Sequence, residues 1–490
     1  MRKRWGFAAG LALVVGSSVG AQESVPQLSL PRAPLSMPMA QPGPSDHVLP
    51  INLATALRLA EARPIMIQMA ELSVQADIAR LQQARALWLP TIFIGADYQR
   101  HDGGLQVQRE GDVIHNHRNQ FLVGAGPKAV FALTDAIYRP LAAAQVLQSR
   151  QLDVQTARNE ALFRMADAYF RVQESRGRLA SYDISVSLGQ ELLQRIDKLG
   201  GKILPAVEID RTRASLAELE QEQVGARRDW RTSSAELSRV LRLPPSSLVV
   251  PLEPPHILVN LIPAASSIDE LIPIGLVSRP ELASQQALVQ ASLTRLKQER
   301  MRPLIPTVVV QGSANPDNRL MGGYYAAGRN DSIDNRTARQ DVNVQVLWEL
   351  RNLGFGNRGL VAERQAEQQL ATYEYMRIQD TVSAEIASAH AEVIAAREQL
   401  PLAEKGVLAA VASFKGNIQG LNETQRIGEV ITTINRPQEV IASLLQLRQA
   451  YTFYYRVLNN FNRAQFRLFY ALGYPAQSLG TNPSFGEPLQ

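Results

Sequence analysis

His115 and His117 stand two apart in a polar stretch predicted to be an external loop, and the pair could touch a metal ion. No third ligand lies nearby, so a plain polar loop is the better account of them. His390 stands alone in SAHAE, where a single imidazole on a helix reads as a packed or solvated side chain. Gly200-Gly201-Lys202 lacks the spacing of a phosphate-binding loop and follows no strand, and neither GxxxxGK[ST] nor HExxH occurs. Gly354, Gly356 and Gly359 suit a strand-to-helix junction better than a nucleotide cradle. The absence of cysteine excludes a thiolate metal site, a Cys nucleophile, a disulfide scaffold and an acylated lipoprotein Cys. No acid–base or nucleophile constellation emerges, so neither catalysis nor a cofactor is expected.

The elements must therefore serve something other than chemistry on a substrate. The 490 residues are 45% apolar and only 6% aromatic, a composition with enough apolar surface for substantial cores. The net charge of +5 falls to +2 once Arg2, Lys3 and Arg4 are set aside, which is no nucleic-acid footprint. Those three charges open an export pattern over residues 1–21. Trp5 to Gly16 is an apolar run too short for a permanent anchor, and Val19 and Ala21 put small residues at −3 and −1 before Gln22. No later apolar run suffices for a transmembrane helix, so an exported chain is either soluble beyond the inner membrane or held in the outer membrane by a β-barrel. Residues 22–50 carry seven prolines and are expected to be a disordered leader, extended and unpacked.

After Ile51 the chain falls into two halves of the same order, 51–250 and 266–475, joined by a linker at 251–265 and followed by a tail at 476–490. Arg63-Pro64 and Arg279-Pro280 are 216 apart, as are Pro90-Thr91 and Pro306-Thr307. Helical periodicity precedes each Pro-Thr, and strict alternation follows it. In half one, Ile92, Ile94, Ala96 and Tyr98 share a face. A polar loop is expected from His101 to Gln120, after which Phe121, Val123, Ala129 and Phe131 share a face of a second strand. In half two, Val308 and Val310 are followed by an expected loop from about 315 to 339, then by Val342, Val344, Val346 and Trp348 opposite Asn343 and Gln345. Strands of about 9–11 residues with one wholly apolar face suit a transmembrane barrel. The same alternation also fits a soluble hairpin with one buried face.

Long helices follow in each half. Residues 135–199 read as one helix of about 90 Å at roughly 1.5 Å per residue, with a returning helix at about 206–242. Leu162, Met165, Tyr169 and Val172 form one apolar stripe and Phe163, Ala166 and Phe170 another, as in a helix packed on two flanks within a wall. In half two the helices are expected at about 357–415 and 437–472, broken by Gly416, Gly420, Gly428 and Pro437.

This order, carried by LATALRLAEARP, WLPTIFIGADY, RPLIPTVVVQGS, VQVLWELRNLGFGNR and NNFNRAQFRLFYALG, resembles the outer-membrane efflux protein family of TolC-type channel-tunnels over nearly all of residues 50–475. The resemblance implies a mainly α fold with a small transmembrane β-barrel: a homotrimer with four strands per chain, a 12-stranded barrel in outer-membrane lipid and a long-helix periplasmic α-barrel. It implies a passive exit duct for small toxic compounds, served by an inner-membrane pump through a periplasmic adaptor (a membrane fusion protein). Nine residues would then face lipid: Ile92, Ile94, Phe121, Val123, Val308, Val310, Val342, Val344 and Val346. Family members carry an acid followed by a β-branched residue at closed helix tips, matched here by Glu208-Ile209 and Glu439-Val440. Counting back 34 residues from Arg242 and from Gly473 reaches these two acids. The chain departs from the family in having Ala442 where a second acid is common, and Asn435-Arg436 where a gate arginine usually comes one residue earlier. Asn435, Arg436, Glu208 and Glu439 are the candidate gate, although both acids also suit helix starts for dipole reasons alone. Export of a polypeptide by type I secretion is the alternative within transport. A periplasmic coiled-coil adaptor or structural protein is the alternative from another class.

Overall fold

The computed structural model describes residues 38–474 except 63, 107–110, 200–204, 264, 312–321, 330–331, 341 and 428–429. The export segment, residues 22–37 of the leader and the tail from 475 lie outside the described residues. The fold is mainly helical, and its helices repeat in length between halves. Half one has α1 (Leu53–Ala62), α2 (Ile65–Arg85), α3 (Leu133–Leu199) and α4 (Ala206–Leu241). Half two has α5 (Ile268–Ser278), α6 (Pro280–Met301), α7 (Phe355–Asn422) and α8 (Pro437–Ala471). Pro64 and Pro280 separate the first two helices of each half, because a proline pushes the residue before it out of the helical region.

α3 and α7, of 67 and 68 residues, are each about 100 Å long at roughly 1.5 Å per residue. At one end α2, α3, α6 and α7 pack in that order, and at the other α4 and α8 return against α3 and α7. The two stripes read from α3 are its core: Met165, Ala166, Tyr169, Phe170 and Val172 are fully buried, and Phe163 stacks on Tyr470 with ring centroids 5.2 Å apart. Gly177 allows close approach of α8, since a Cβ there would sit 2.4 Å from the Tyr455 ring.

The strands are β1 (His47–Ile51), β2 (Thr91–Gln106), β3 (Val113–Ala132), β4 (Ser247–Pro251), β5 (Thr307–Gln311), β6 (Gly322–Arg329), β7 (Asn335–Gln340), β8 (Asn343–Leu347), β9 (Thr424–Ile427) and β10 (Val430–Thr433). Three expectations are corrected. The loop expected at 101–120 is mostly strand, because β2 and β3 pair from Thr91↔Lys128 out to Gln106↔Val113; backbone pairing extends past the point where side-chain alternation ends. The loop expected at 315–339 contains β6 and β7, which pair with β3 and with each other. The helix expected to break at Gly416 and Gly420 runs through both to Asn422; glycine lowers helix stability by only about 1 kcal/mol.

A fourth departure from local reading is residues 38–50, expected to be unpacked and found docked. Tyr455 donates to the Pro38 carbonyl, the Arg176 guanidinium donates to the carbonyls of Ala40 (3.0 Å) and Pro251 (2.9 Å), and Arg231 pairs with Asp46 at 2.8 Å. β1 then pairs in parallel with β4, from His47↔Ser247 to Ile51↔Pro251. Glu253 accepts from the Leu53 amide at the start of α1 and from the Tyr169 hydroxyl. Burial and the Glu253 charge push that phenol above its ordinary value. Farther on, Asn462 donates to Ile257 O and accepts from Val259 N, while Gln465 accepts from Leu261 N and Ile262 N, so α8 satisfies the backbone of the inter-repeat linker.

Candidate membrane face and helix-tip site

β2 to β8, excluding β4, form one antiparallel sheet. β3 pairs with β2 on one side and with both β5 and β6 on the other, and β8 and β7 pair with β5 and β6 in turn. The ladder thus has four positions: β2, β3, β5 with β6, and β7 with β8. In an antiparallel ladder directly opposed residues share a face. Ile94, Ala96, Val123 and Tyr324 fall on one face through Ala96↔Val123↔Tyr324, and so do Tyr98, Phe121 and Ala326. Ala129↔Val310↔Val344 and Phe131↔Val308↔Val346 continue that face toward the helices. The register therefore brings Ile92, Ile94, Phe121, Val123, Val308, Val310, Val344 and Val346 to one side, with Val342 exposed just before β8. Asp97, Gln99, Gln120, Asn343 and Gln345 occupy the other side.

Phe121 and Phe131 bound the apolar part of β3. The ten steps between them at about 3.4 Å each, tilted by about 40°, give a band near 25 Å tall, the height of an outer-membrane apolar band. At its helical end stand Trp88, Leu89, Leu304, Trp348 and Leu350, all exposed. At its far end Arg100 and His117 both contact Asp102, at 2.6 and 2.8 Å, holding that carboxyl below the usual range. His117 is thereby engaged, and among the described residues no three metal-ligating side chains gather.

The four gate candidates lie at the starts of α4 and α8, about one and a half to two and a half turns beyond the level where Leu216 of α4 and Leu444 of α8 meet at Gly189 of α3. Glu208 is buried against Arg211, 3.0 Å away, and its second carboxylate oxygen has no partner among the described residues. Glu439 is exposed, and its amide donates to Arg436 O at 3.0 Å. Arg436 is the exposed N-cap of α8. Asn435 is a fastener: its side chain donates to Asn417 at 3.0 Å, its amide donates to Gly420 O, and a Cβ on Gly420 would lie 2.5 Å from it. Between α7 and α8 the tip holds the β9–β10 hairpin.

Below the sheet, α2, α3, α6 and α7 jointly line a cavity of about 610 Å³ that includes Arg80, Arg139, Arg295, Arg302 and Arg364 with Asp77 and Glu299. Most of this charge is internally paired. Asp77 binds Arg80 and Arg150, and Arg302 binds both Glu299 (2.8 Å) and Asp135 (2.7 Å), clamping α6 to α3. Midway along α3, burial raises the Glu174 carboxyl above its ordinary value, opposed by Arg463 3.4 Å away.

Neither a family model nor a curated protein sequence matches this chain. Solved structures do. A membrane protein from Pseudomonas aeruginosa matches with a TM-score of 0.71 at 15% identity, over 90% of this chain and 98% of its own. The outer-membrane channel OprN matches at 0.70 and 14% identity, over 91% and 98%. The Campylobacter jejuni outer-membrane channel CmeC matches at 0.67 and 14% identity, over 89% and 90%. The chain has the outer-membrane efflux channel fold.

Within that channel fold, the described features that sequence reasoning missed are the β6–β7 hairpin, the β9–β10 hairpin, the two-tryptophan border and the arginine-lined cavity. The β-branched run Val430-Ile431-Thr432-Thr433 carried a strand signal for β10. The cavity had none, because its side chains come from four helices distant in sequence.

Proposed function

We propose that this chain is one subunit of a homotrimeric outer-membrane exit duct that passively conducts small toxic compounds. An inner-membrane pump supplies the energy, and a periplasmic adaptor joins that pump to the helix tips. The observation that carries the reading is a sheet with one apolar face and two open edges, β2 and β7–β8, joined directly to helices of about 100 Å. Open edges cannot persist in hydrocarbon, so other chains must close the sheet, and three copies give twelve strands. Helices of this length reach across a periplasmic gap, and no helix among the described residues is long and apolar enough to cross a membrane itself. Membrane fractionation with chemical crosslinking tests the reading: the expected species is a trimer in the outer-membrane fraction. A soluble monomer would overturn it.

In this reading Glu439 lines the narrowed entrance. It is exposed at a helix start, whereas Glu208 is turned into Arg211. Three Glu439 carboxylates around one axis would attract cations, and multivalent cations most. Glu439→Gln keeps the shape and removes the charge, so block of single-channel current by a trivalent cation on the periplasmic side should weaken several-fold. Glu208→Gln alone should change it little. Unchanged block in Glu439→Gln and in the double variant would leave both acids as helix-start residues.

A further inference from the structure

The connection from β8 into α7 is a built turn that holds a large apolar side chain in the open. Asn352 (φ 51°) and Leu353 (φ 59°) are both left-handed, a conformation that L side chains other than Asn and Asp rarely adopt, and Gly354 follows at φ 90°. The turn is tied across its base, where the buried Asn357 side chain accepts from the Arg351 amide at 2.8 Å. The result is that Leu353 is 92% exposed, with Phe355 exposed beside it and Trp348 exposed at the end of β8. A strained turn that serves only to connect two elements gains nothing from a leucine at a position glycine would occupy without strain.

The side of the wall on which Phe355 lies follows from helix geometry. Arg364 of α7 lines the charged cavity, and Phe355 lies nine residues earlier, half a turn away at about 100° per residue. On α3, Arg139 lines the cavity, while Ile137 and Leu141, about 200° from it, are exposed on the opposite side. The wall thus carries its charges on one side and, near the sheet, exposed apolar residues on the other. Leu353, two residues before Phe355, lies at the level where the apolar band of the sheet ends in Trp88 and Trp348. Aromatic side chains at such a border sit at the lipid–water interface.

We propose that the β8–α7 turn is a lipid anchor, with Leu353, Phe355 and Trp348 seated in the acyl-chain margin of the leaflet nearest the helical wall. The proposal rests on the membrane reading above and names its occupant as phospholipid. With no cysteine in the chain, no acyl group on a thiol can fix the depth of the sheet in the bilayer. Rigid apolar side chains at the border do so instead, and the backbone strain at Leu353 keeps that side chain from folding back onto α7.

The same lack of cysteine makes the test clean, because Leu353→Cys introduces the sole thiol. The full chain, labelled there with an environment-sensitive fluorophore and reconstituted in phosphatidylcholine–phosphatidylglycerol vesicles, is read with lipids brominated at shallow or deep acyl positions. Quenching of at least two-fold by shallow bromines is expected at residue 353. Deep quenching is expected at Ile94→Cys, and none at Met376→Cys, about 30 Å farther along α7. Quenching at 94 without quenching at 353 overturns the anchor and leaves the membrane reading standing, as does crosslinking of residue 353 between copies in place of quenching. Quenching at neither overturns both. Leu353→Gly provides an unlabelled check, since it relieves the left-handed backbone. A purely structural turn would then be retained in membranes like the parent. A lipid anchor predicts several-fold greater extraction by mild detergent, reversed in Leu353→Trp. Parent-like retention of Leu353→Gly overturns the proposal.

Discussion

Val344→Arg is expected to keep the chain out of the outer membrane, while Asn343→Arg is expected to leave insertion intact. The two positions are adjacent in β8, and each substitution adds one positive charge. They differ in face: Val344 opposes Val310 and, beyond it, Ala129, whereas Asn343 opposes Gln311 on the other side of the sheet. Val344 is level with Ala129, two residues inside the Phe131 border and about 5 Å in height from it once tilted, within a band near 25 Å. An arginine on the lipid side costs about 2–4 kcal/mol at the midplane and about 0–1 kcal/mol at the border, so at this intermediate depth about 1–2 kcal/mol per copy, and three well-separated copies add to about 3–6 kcal/mol. That is a large fraction of the stability of a typical domain. The yield of trimer in outer-membrane fractions reads the result. Asn343→Arg should instead alter conductance and ion preference. Equal loss at both positions would mean that the apolar face does not meet lipid.

Trp230→Ala is expected to release the docked leader and weaken the belt where the two halves meet. Trp230 on α4 is fully buried, its indole N–H donates to Val249 O of β4 at 3.1 Å, and the Arg176 guanidinium lies 5.8 Å over its ring. Truncating a buried aromatic costs about 3–5 kcal/mol through lost burial and the cavity left behind. The orphaned Val249 carbonyl adds about 1–3 kcal/mol. Because Arg176 also holds Ala40 and Pro251, the loss spreads to β1 and β4. The purified assembly should dissociate at lower temperature, and limited proteolysis should cut within residues 38–51 several times faster. Trp230→Phe fills most of the volume and loses the hydrogen bond, so it should fall between the parent and Trp230→Ala. Parent-like proteolysis of Trp230→Ala would show that the leader is held without it.

Where the physics is local, the sequence was sufficient. Helix and strand types follow from periods of 3.6 and 2, and these placed Met165, Tyr169 and Val172 in a core and the barrel valines on one face before any contact was known. The prolines at 64 and 280, and the Pro-Thr steps at 90 and 306, marked the same boundaries in both halves because a proline acts on its immediate neighbours. Boundaries were less legible where backbone pairing outran side-chain pattern, as at His101 to Gln120, whose polar residues pair in strands beyond the apolar band.

What only the tertiary structure decided are contacts between residues far apart in the chain. That β3 would take both β5 and β6 as neighbours, that Asn462 would satisfy Ile257 and Val259, and that Arg176 would hold residues 38–51 against α3 leave no local signature. Each depends on which backbone groups the completed fold leaves without partners. The same holds at the tip, where Glu208 and Glu439 look alike in sequence, each an acid before a β-branched residue at a helix start. Only packing distinguishes them, burying one beside Arg211 and leaving the other exposed. A carboxylate's surroundings set its solvation and its partners, and those surroundings are assembled from helices that meet only when the chain has folded.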